Sequence, residues 1–322
     1  MNIQQIYDLA LQMGLKADPR GEKGVKKYLA KIKKQFEGLS AEEKKYFDQT
    51  KLQDPYADSL IHLVDSPKLE IRTILAGIDA DVGEVLLAAN LQERGEHVDL
   101  VLGHHPIGKS LAELHEVMDL QVDSLAEVGV PVHVAENLMQ ERMADVARGI
   151  HPINHYQAVD AAKLLKVNLM NIHTLTDNLV EEFVKEYLKK KAPETVGEAL
   201  KVLMEIPEYQ LAKHQGAGPK ITSGRPDNRF GRFMLEMTGG TSPSDKVYQE
   251  VSKAGISTII SMHMNDKGYG EAKGSFLNII IAGHMASDSL GMNLFLDELE
   301  KKGIKILPCS GLIRVSRVKK NK

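Results

Sequence analysis

The chain has one cysteine, Cys309, among 322 residues. A single thiol can close no internal disulfide and build no thiolate metal cage. Disulfide-stapled scaffolds and zinc ribbons are therefore excluded, and a cytoplasmic setting is the expectation. Tryptophan is absent, and aromatic residues make up only 5%. No apolar run approaches the ~18 residues of a membrane span, so no membrane role is expected. Neither sign of charge dominates: 41 Lys and Arg stand against 44 Asp and Glu, a net charge of −3. That balance speaks against coating nucleic acid. Repeats and low-complexity blocks are also missing. The opening MNIQQIYDLALQMGLKADPRG has no basic region leading into an apolar core, so it does not read as a secretory signal. What is present is the composition of a globular chain, 43% apolar and 26% charged, with 12 histidines. With no thiolates to spare, any metal would be held by nitrogen and oxygen.

The patterning changes along the chain. Residues up to about 65 read as helical, with Ile3, Ile6, Ala10 and Met13 on one face and Val25, Leu29, Ile32 and Phe36 on another. Lys26, Lys27, Lys31, Lys33 and Lys34 read as a solvated face rather than an anion site. Ser40 and Glu43 have the capping-box spacing for a third helix. Asp65-Ser66-Pro67 marks a boundary. Strand, helix and strand then come at 71–78, 82–94 and 98–102, a βαβ unit with parallel strands. Helices are expected at 111–127, 133–148, 157–165, 178–191 and 196–204, with a strand at 168–172. The Pro- and Gly-rich stretch 206–237 reads as strands and loops. A helix at 244–253 and strands at 256–262 and 276–282 come next. A helix at 290–301, strands at 304–307 and 312–318, and an unanchored KKNK tail complete the chain.

Three strand ends carry unusual polar groups. Gly103-His104-His105-Pro106 follows VDLVL, His173-Thr174-Leu175-Thr176-Asp177 follows NLMNI, and Gly283-His284 to Asp288 follows FLNIIIA. Ligands of open α/β sheets bind outside the carboxyl ends of the strands, so these segments share a rim if their strands share a sheet. Imidazole with carboxylate suits Zn, Mn, Fe, Co or Ni. Adjacent His104 and His105 diverge, which fits two neighbouring ions better than one. His284 and Asp288, four apart, lie on one helix face. Two such ions would polarise a substrate oxygen and ionise a water between them. Any one of these clusters alone is more often structural; three together favour a metal site.

The order of these motifs resembles the Nif-three-like proteins, also called GTP cyclohydrolase type-two homologues. Their pattern is a strand ending in Asp, a helix, a strand leading to HHP, a later HTxxD and a C-terminal GHxxxE. Here it is matched by Asp79, His104-His105-Pro106, His173-Thr174 to Asp177, and Gly283-His284 to Asp288, within 69–318. The resemblance implies two interlocked α/β lobes with a dinuclear centre in the cleft. His104, His105, Asp177, His284 and Asp288 would hold two divalent ions, with His173 beside them as a supporting or proton-transfer group. It also implies a toroidal hexamer and a metal-dependent hydrolase of unsettled substrate. Asp288 departs from the usual Glu and is one methylene shorter, which bears on bridging. On this basis residues 1–66 form a helical extension, 67–194 a first α/β lobe, 195–282 a second, and 283–322 a segment returning to the first.

Other features are weighed singly. His151 and His155 read as structural. His263, at the end of ISTIISM, is a second candidate for moving protons. Gly239-Gly240-Thr241-Ser242 reads as a tight turn in preference to a phosphate cradle. Arg225, Arg229 and Arg232 would suit a phosphate-bearing substrate or, equally, a solvated loop, and Cys309 reads as a buried structural thiol. The leading function is hydrolysis at a phosphoryl group or an amidine- or amide-like carbon, with a small molecule as partner. The alternative is a non-catalytic metal-holding or regulatory scaffold for a nucleotide or protein. A DNA-binding role through the Lys-rich helix is the weakest reading.

Overall fold

A computed structural model describes residues 1–319. In chain order its elements are α1 (Ile3–Lys16), α2 (Gly21–Gly38), β1 (Leu60–Leu63), β2 (Thr73–Gly77), α3 (Val82–Glu93), β3 (Leu100–Gly103), α4 (Gly108–Ala112), α5 (Leu114–Val117), α6 (Leu120–Glu127), α7 (Val132–Ile150), α8 (Gln157–Leu165) and β4 (Leu169–Asn171). Then come α9 (Thr174–Lys191), α10 (Val196–Leu203), α11 (Pro207–His214), β5 (Lys220–Ser223), β6 (Phe233–Glu236), α12 (Val247–Lys253), β7 (Thr258–Ser261), α13 (Asp266–Gly274), β8 (Asn278–Ile281), α14 (His284–Glu300) and β9 (Lys305–Pro308).

The strands form two sheets, ordered β1-β4-β3-β2-β9 and β5-β8-β7-β6. In each, the neighbours are parallel except for one antiparallel edge strand, β1 against β4 and β5 against β8. The inner strands are buried on both faces, which is why they read as unbroken apolar runs such as TILAG and NIII. Helices α9 and α14 pack on each other and serve both cores. Leu175 and Leu179 of α9 join one cluster, while Val180, Val184 and Leu188 join the other. In α14, Phe295, Leu296 and Leu299 join the first and Ala286 and Leu290 the second. Gly291 permits this approach: a Cβ there would stand 2.3 Å from the Thr176 carbonyl oxygen.

Several expectations are corrected. The stretch up to residue 65 is not wholly helical, since β1 lies at 60–63; it is a half-buried edge strand with no strong alternation to announce it. Ser40 and Glu43 do form the reciprocal capping contacts. They start only one 3₁₀ turn, at 43–45, because EEKKYFDQT offers no apolar stripe to bury and the Asp48 side chain takes the Thr50 N–H. Residues 111–127 are three short helices with breaks at Glu113 and at 118–119. The 206–237 stretch contains α11, whose Pro207 occupies the first turn where proline starts helices rather than stopping them. Helix α13 carries no apolar stripe, so the sequence pattern gives no sign of it. Residues 312–318 form no strand. Side chains of α14 and α11 pin that segment instead: Ser289 and Asn293 hold the Ile313 backbone, Glu300 holds Arg314, and Glu208 holds Arg317. Of the KKNK tail, residues 320–322 lie outside the described residues.

Candidate metal centre

His104 and His105 leave the carboxyl end of β3 and His173 that of β4 in the five-stranded sheet, whereas His284 leaves β8 of the four-stranded one. The strands do not share one sheet, and the three motifs meet where the carboxyl ends of the two sheets face one cleft. His104, Asp177 and Asp288 each place one ligand atom within 4.8 Å of the others, and so do His105, His284 and Asp288. His104, His105 and His173 form a third such group. Asp288 is the shared member of the first two. Its Oδ1 lies 3.7 Å from His104 Nε2, while its Oδ2 lies 3.4 Å from His105 Nε2 and 3.3 Å from His284 Nε2. Asp177 Oδ1 faces His104 Nε2 at 3.4 Å.

Three histidines are turned the same way by acceptors behind them. The His104 Nδ1–H donates to the Ile172 carbonyl at 3.2 Å, with Thr176 Oγ1 at 2.9 Å. His105 Nδ1–H donates to Asp79 Oδ1 at 2.8 Å, and His173 Nδ1–H to Asp58 Oδ2 at 2.7 Å. The acceptors assign the tautomer, and each Nε2 is left facing the aspartate pair. The Thr176 hydroxyl also caps backbone carbonyls in the first turn of α9, so one short segment, HTLTD, sets both Asp177 and the orientation of His104.

The electrostatics follow from burial. His104 is held well below the usual imidazole range because it is buried. Asp177 is pushed well above the carboxylate range by burial and by the neighbouring Asp288 and Asp58 carboxylates. Burial opposes the charge on Asp288 too, but His104, His105 and His284 outweigh it and lower its pKa. His105 is pulled down by burial and up by the nearby Asp288 carboxylate and its bond to Asp79, and settles at about 9. Burial lowers His284 and His263.

Four buried atoms in this cluster have no hydrogen-bond partner: His104 Nε2, Asp177 Oδ1 and both oxygens of Asp288. Buried polar atoms are nearly always satisfied, and leaving one unmade costs about 1–3 kcal/mol. A cation satisfies imidazole nitrogen and carboxylate oxygen together. The donor set of imidazoles and carboxylates without thiolate fits a divalent ion, and these residues can hold one.

The remaining sequence candidates separate cleanly. His263 lies at the cleft, its ring edge-on to His284 with centroids 4.6 Å apart and its Nδ1 3.5 Å from Ser242 Oγ. His155 bonds the Ile150 carbonyl, away from the cluster. Arg225, Arg229 and Arg232 do not converge on it: all three are exposed, Arg225 pairs with Asp227, and Arg232 donates to the Ala254 and Val128 carbonyls. Gly239 and Gly240 have φ of +92° and +85°, the left-handed turn that glycine serves best. Cys309 is half-buried. Sequence reading misses Asp58, which precedes β1 and is fully buried beneath His173 and Thr174. It also misses Glu181, Glu236 and Gln121, which line the cleft beyond the cluster. None of the four sits in a local pattern that would mark it.

No known family profile matches the chain, and no curated protein does. Solved structures do match. A NIF3 superfamily protein from Sphaerobacter thermophilus is 22% identical with a TM-score of 0.75, covering 97% of this chain and 99% of that one. Reduced HcgD from Methanocaldococcus jannaschii is 14% identical with a TM-score of 0.50, covering 84% of this chain and 97% of that one. No helix among the described residues is long and apolar enough to cross a membrane. The likeness to the Sphaerobacter protein runs over nearly the whole of both chains, and by it this chain has the Nif-three-like α/β fold that its motif order implies.

Proposed function

We propose that the cluster is a dinuclear centre and that the chain is a metal-dependent hydrolase working in the cleft between its two sheets. The observation that carries this is Asp288, which offers one unpartnered oxygen to each of two histidine-containing groups. His104 and Asp177 would hold one ion, His105 and His284 the other, with Asp288 between them. The shorter Asp reaches both groups, so the departure from Glu does not cost the bridge. The ions are Zn, Mn, Fe, Co or Ni by the chemistry of the donors. When bound, such ions polarise the scissile bond and lower the pKa of water. The chain's own part is to orient and to handle protons. Asp58 holds the His173 ring so that Nε2 faces Asp177 Oδ2 at 3.8 Å, at the margin of the cluster, where a proton can be taken or returned. His263 sits across the cleft as a second such group. The hexameric assembly implied by the family likeness belongs to this reading. It is supported by Leu86, Leu87, Leu164 and Leu165, which are exposed on the packed helices α3 and α8 and suit a subunit contact.

Metal content per chain, measured by elemental analysis of untagged protein, tests the centre. About two transition-metal ions in the wild type, falling in His104→Ala and Asp288→Ala, are expected. Metal that is absent and cannot be restored by added Zn, Mn or Fe would overturn it. Turnover of a screened substrate, lost on chelation and recovered on reloading, is the expectation for the hydrolase.

A further inference from the structure

The cleft does not end at the histidine and aspartate cluster. It continues to the carboxyl ends of β6 and β7, where it is lined by Gln121, Glu181 and Glu236, by apolar side chains such as Leu125, Met237 and Met262, and by hydroxyls such as those of Ser124 and Thr238. Gln121 is 6% exposed. Its amide nitrogen donates to the carbonyls of Gly239 at 2.7 Å and Thr241 at 2.5 Å. Two acceptors on one nitrogen fix the amide's orientation, and its Oε1 is left buried with no partner. Glu236 repeats the arrangement: Oε2 accepts from the Tyr248 hydroxyl at 3.1 Å, while Oε1 is buried and unpartnered. Glu181 is 8% exposed, and its Oε2 accepts from the Met237 N–H at 3.2 Å. Among the described residues, no lysine or arginine lines the cleft.

An unmet acceptor inside a protein calls for a donor, and a buried carboxyl with an unmet oxygen beside a second carboxyl favours a cationic one. With metal ions matching Asp177 and Asp288, Gln121 Oε1 and Glu236 Oε1 are the buried acceptors at this end of the cleft left without a partner among the described residues, while Glu181 is held by the Met237 N–H. A phosphate would meet two carboxyls and the unpartnered Gln121 Oε1 here. We infer that this end of the cleft is a subsite for an amidinium or guanidinium group carried on an apolar body. Planar N–H donors would meet the Gln121 and Glu236 oxygens, and the apolar body would lie on the methionine and leucine walls. The inference rests on the proposed hydrolase in one respect: a group seated here would present its neighbouring bond to the metal cluster. Burial raises both glutamates to about 7, against the pull of the Met237 N–H and Lys185 on Glu181 and of the Tyr248 and Ser261 hydroxyls on Glu236.

Benzamidine is the probe, with benzamide and benzoate as its neutral and anionic counterparts of like shape. Binding is followed by calorimetry on the protein as purified and after chelation, with metal content measured on the same samples. Benzamidine is expected to bind both forms roughly tenfold or more tightly than benzamide. Glu236→Gln, which is isosteric and keeps an acceptor for Tyr248, is expected to erase most of that preference, and Gln121→Leu to weaken binding further. Equal binding of benzamidine and benzamide, or an unchanged preference in both variants, would overturn the subsite. Metal present without benzamidine binding refutes the subsite alone. Benzamidine binding to a chain that never takes up metal supports the subsite and refutes the centre.

Discussion

Asp79 is the most exposed member of the network around the cluster, and for that reason the most informative single residue to change. Its side chain is 63% exposed, so Asp79→Asn removes an acceptor charge without disturbing packing. The hydrogen bond from His105 holds its own pKa low and keeps the His105 Nε2 turned toward Asp288. Loss of such an orienting carboxylate typically weakens metal binding about 10–100-fold. Competition with a chromophoric chelator should show that weakening in Asp79→Asn; an affinity equal to wild type would make Asp79 a bystander. Asp58 differs because it supports His173, which is outside the five proposed ligands. Asp58→Asn should leave metal content near the wild-type value while slowing turnover on any screened substrate. A metal loss as deep as that of His104→Ala would place His173 among the ligands instead. Residues of the centre are legible where chemistry is contiguous in the chain, as in HHP, HTLTD and GHMASD. Asp58, Gln121, Glu181 and Glu236 are not, because each stands alone in its segment and only the packing of α6, α9, β1 and β6 gathers them.

At the scale of elements, α9 and α14 are where folding and chemistry meet. Both are buried on several sides between the two cores, and both carry site residues in their first turns. That placement explains why their starts at Thr174 and His284 fall earlier than the apolar pattern indicates. The turns are polar because they face the cleft, so hydrophobic period has nothing to report there. Strands β2, β3, β7 and β8 are legible for the opposite reason, since burial on both faces leaves continuous β-branched runs. Edge strand β1 escapes notice because LIHL is too short and too evenly half-buried to alternate. The contact that locks the two helices gives a prediction. A Cβ at Gly291 would collide with the Thr176 carbonyl, a backbone atom that cannot swing aside, and Thr176 also supports His104. Gly291→Ala should therefore lower stability by about 1–3 kcal/mol, read as a shifted denaturant midpoint. It should also lower metal content, although residue 291 touches no proposed ion. A stable variant with full metal would show that the helices separate without moving the site.

For the whole molecule, the buried carboxyls of the cleft tie stability to pH. Burial raises Glu181 and Glu236 from 4.5 to about 7. Between those values the folded chain keeps two protons that the unfolded chain has released. The folded state thus binds more protons, and stability falls as pH rises through that window. The contribution is complete below about 4.5 and is lost once pH passes about 7. Other buried groups titrate as well: Asp177 is raised and adds to the slope, while Asp288 is lowered and acts only at more acid pH, below this window. Glu236→Gln separates one member from this sum, because glutamine carries no proton to lose. In chelated protein, the difference in unfolding free energy between wild type and Glu236→Gln should move in the variant's favour between about pH 5 and 8, by on the order of 3 kcal/mol at most. Denaturant titrations at a series of pH values measure it directly. A difference that stays flat would mean that Glu236 is ionised throughout, already matched by a donor, and the acceptor-rich end of the cleft would lose the feature that selects a cation.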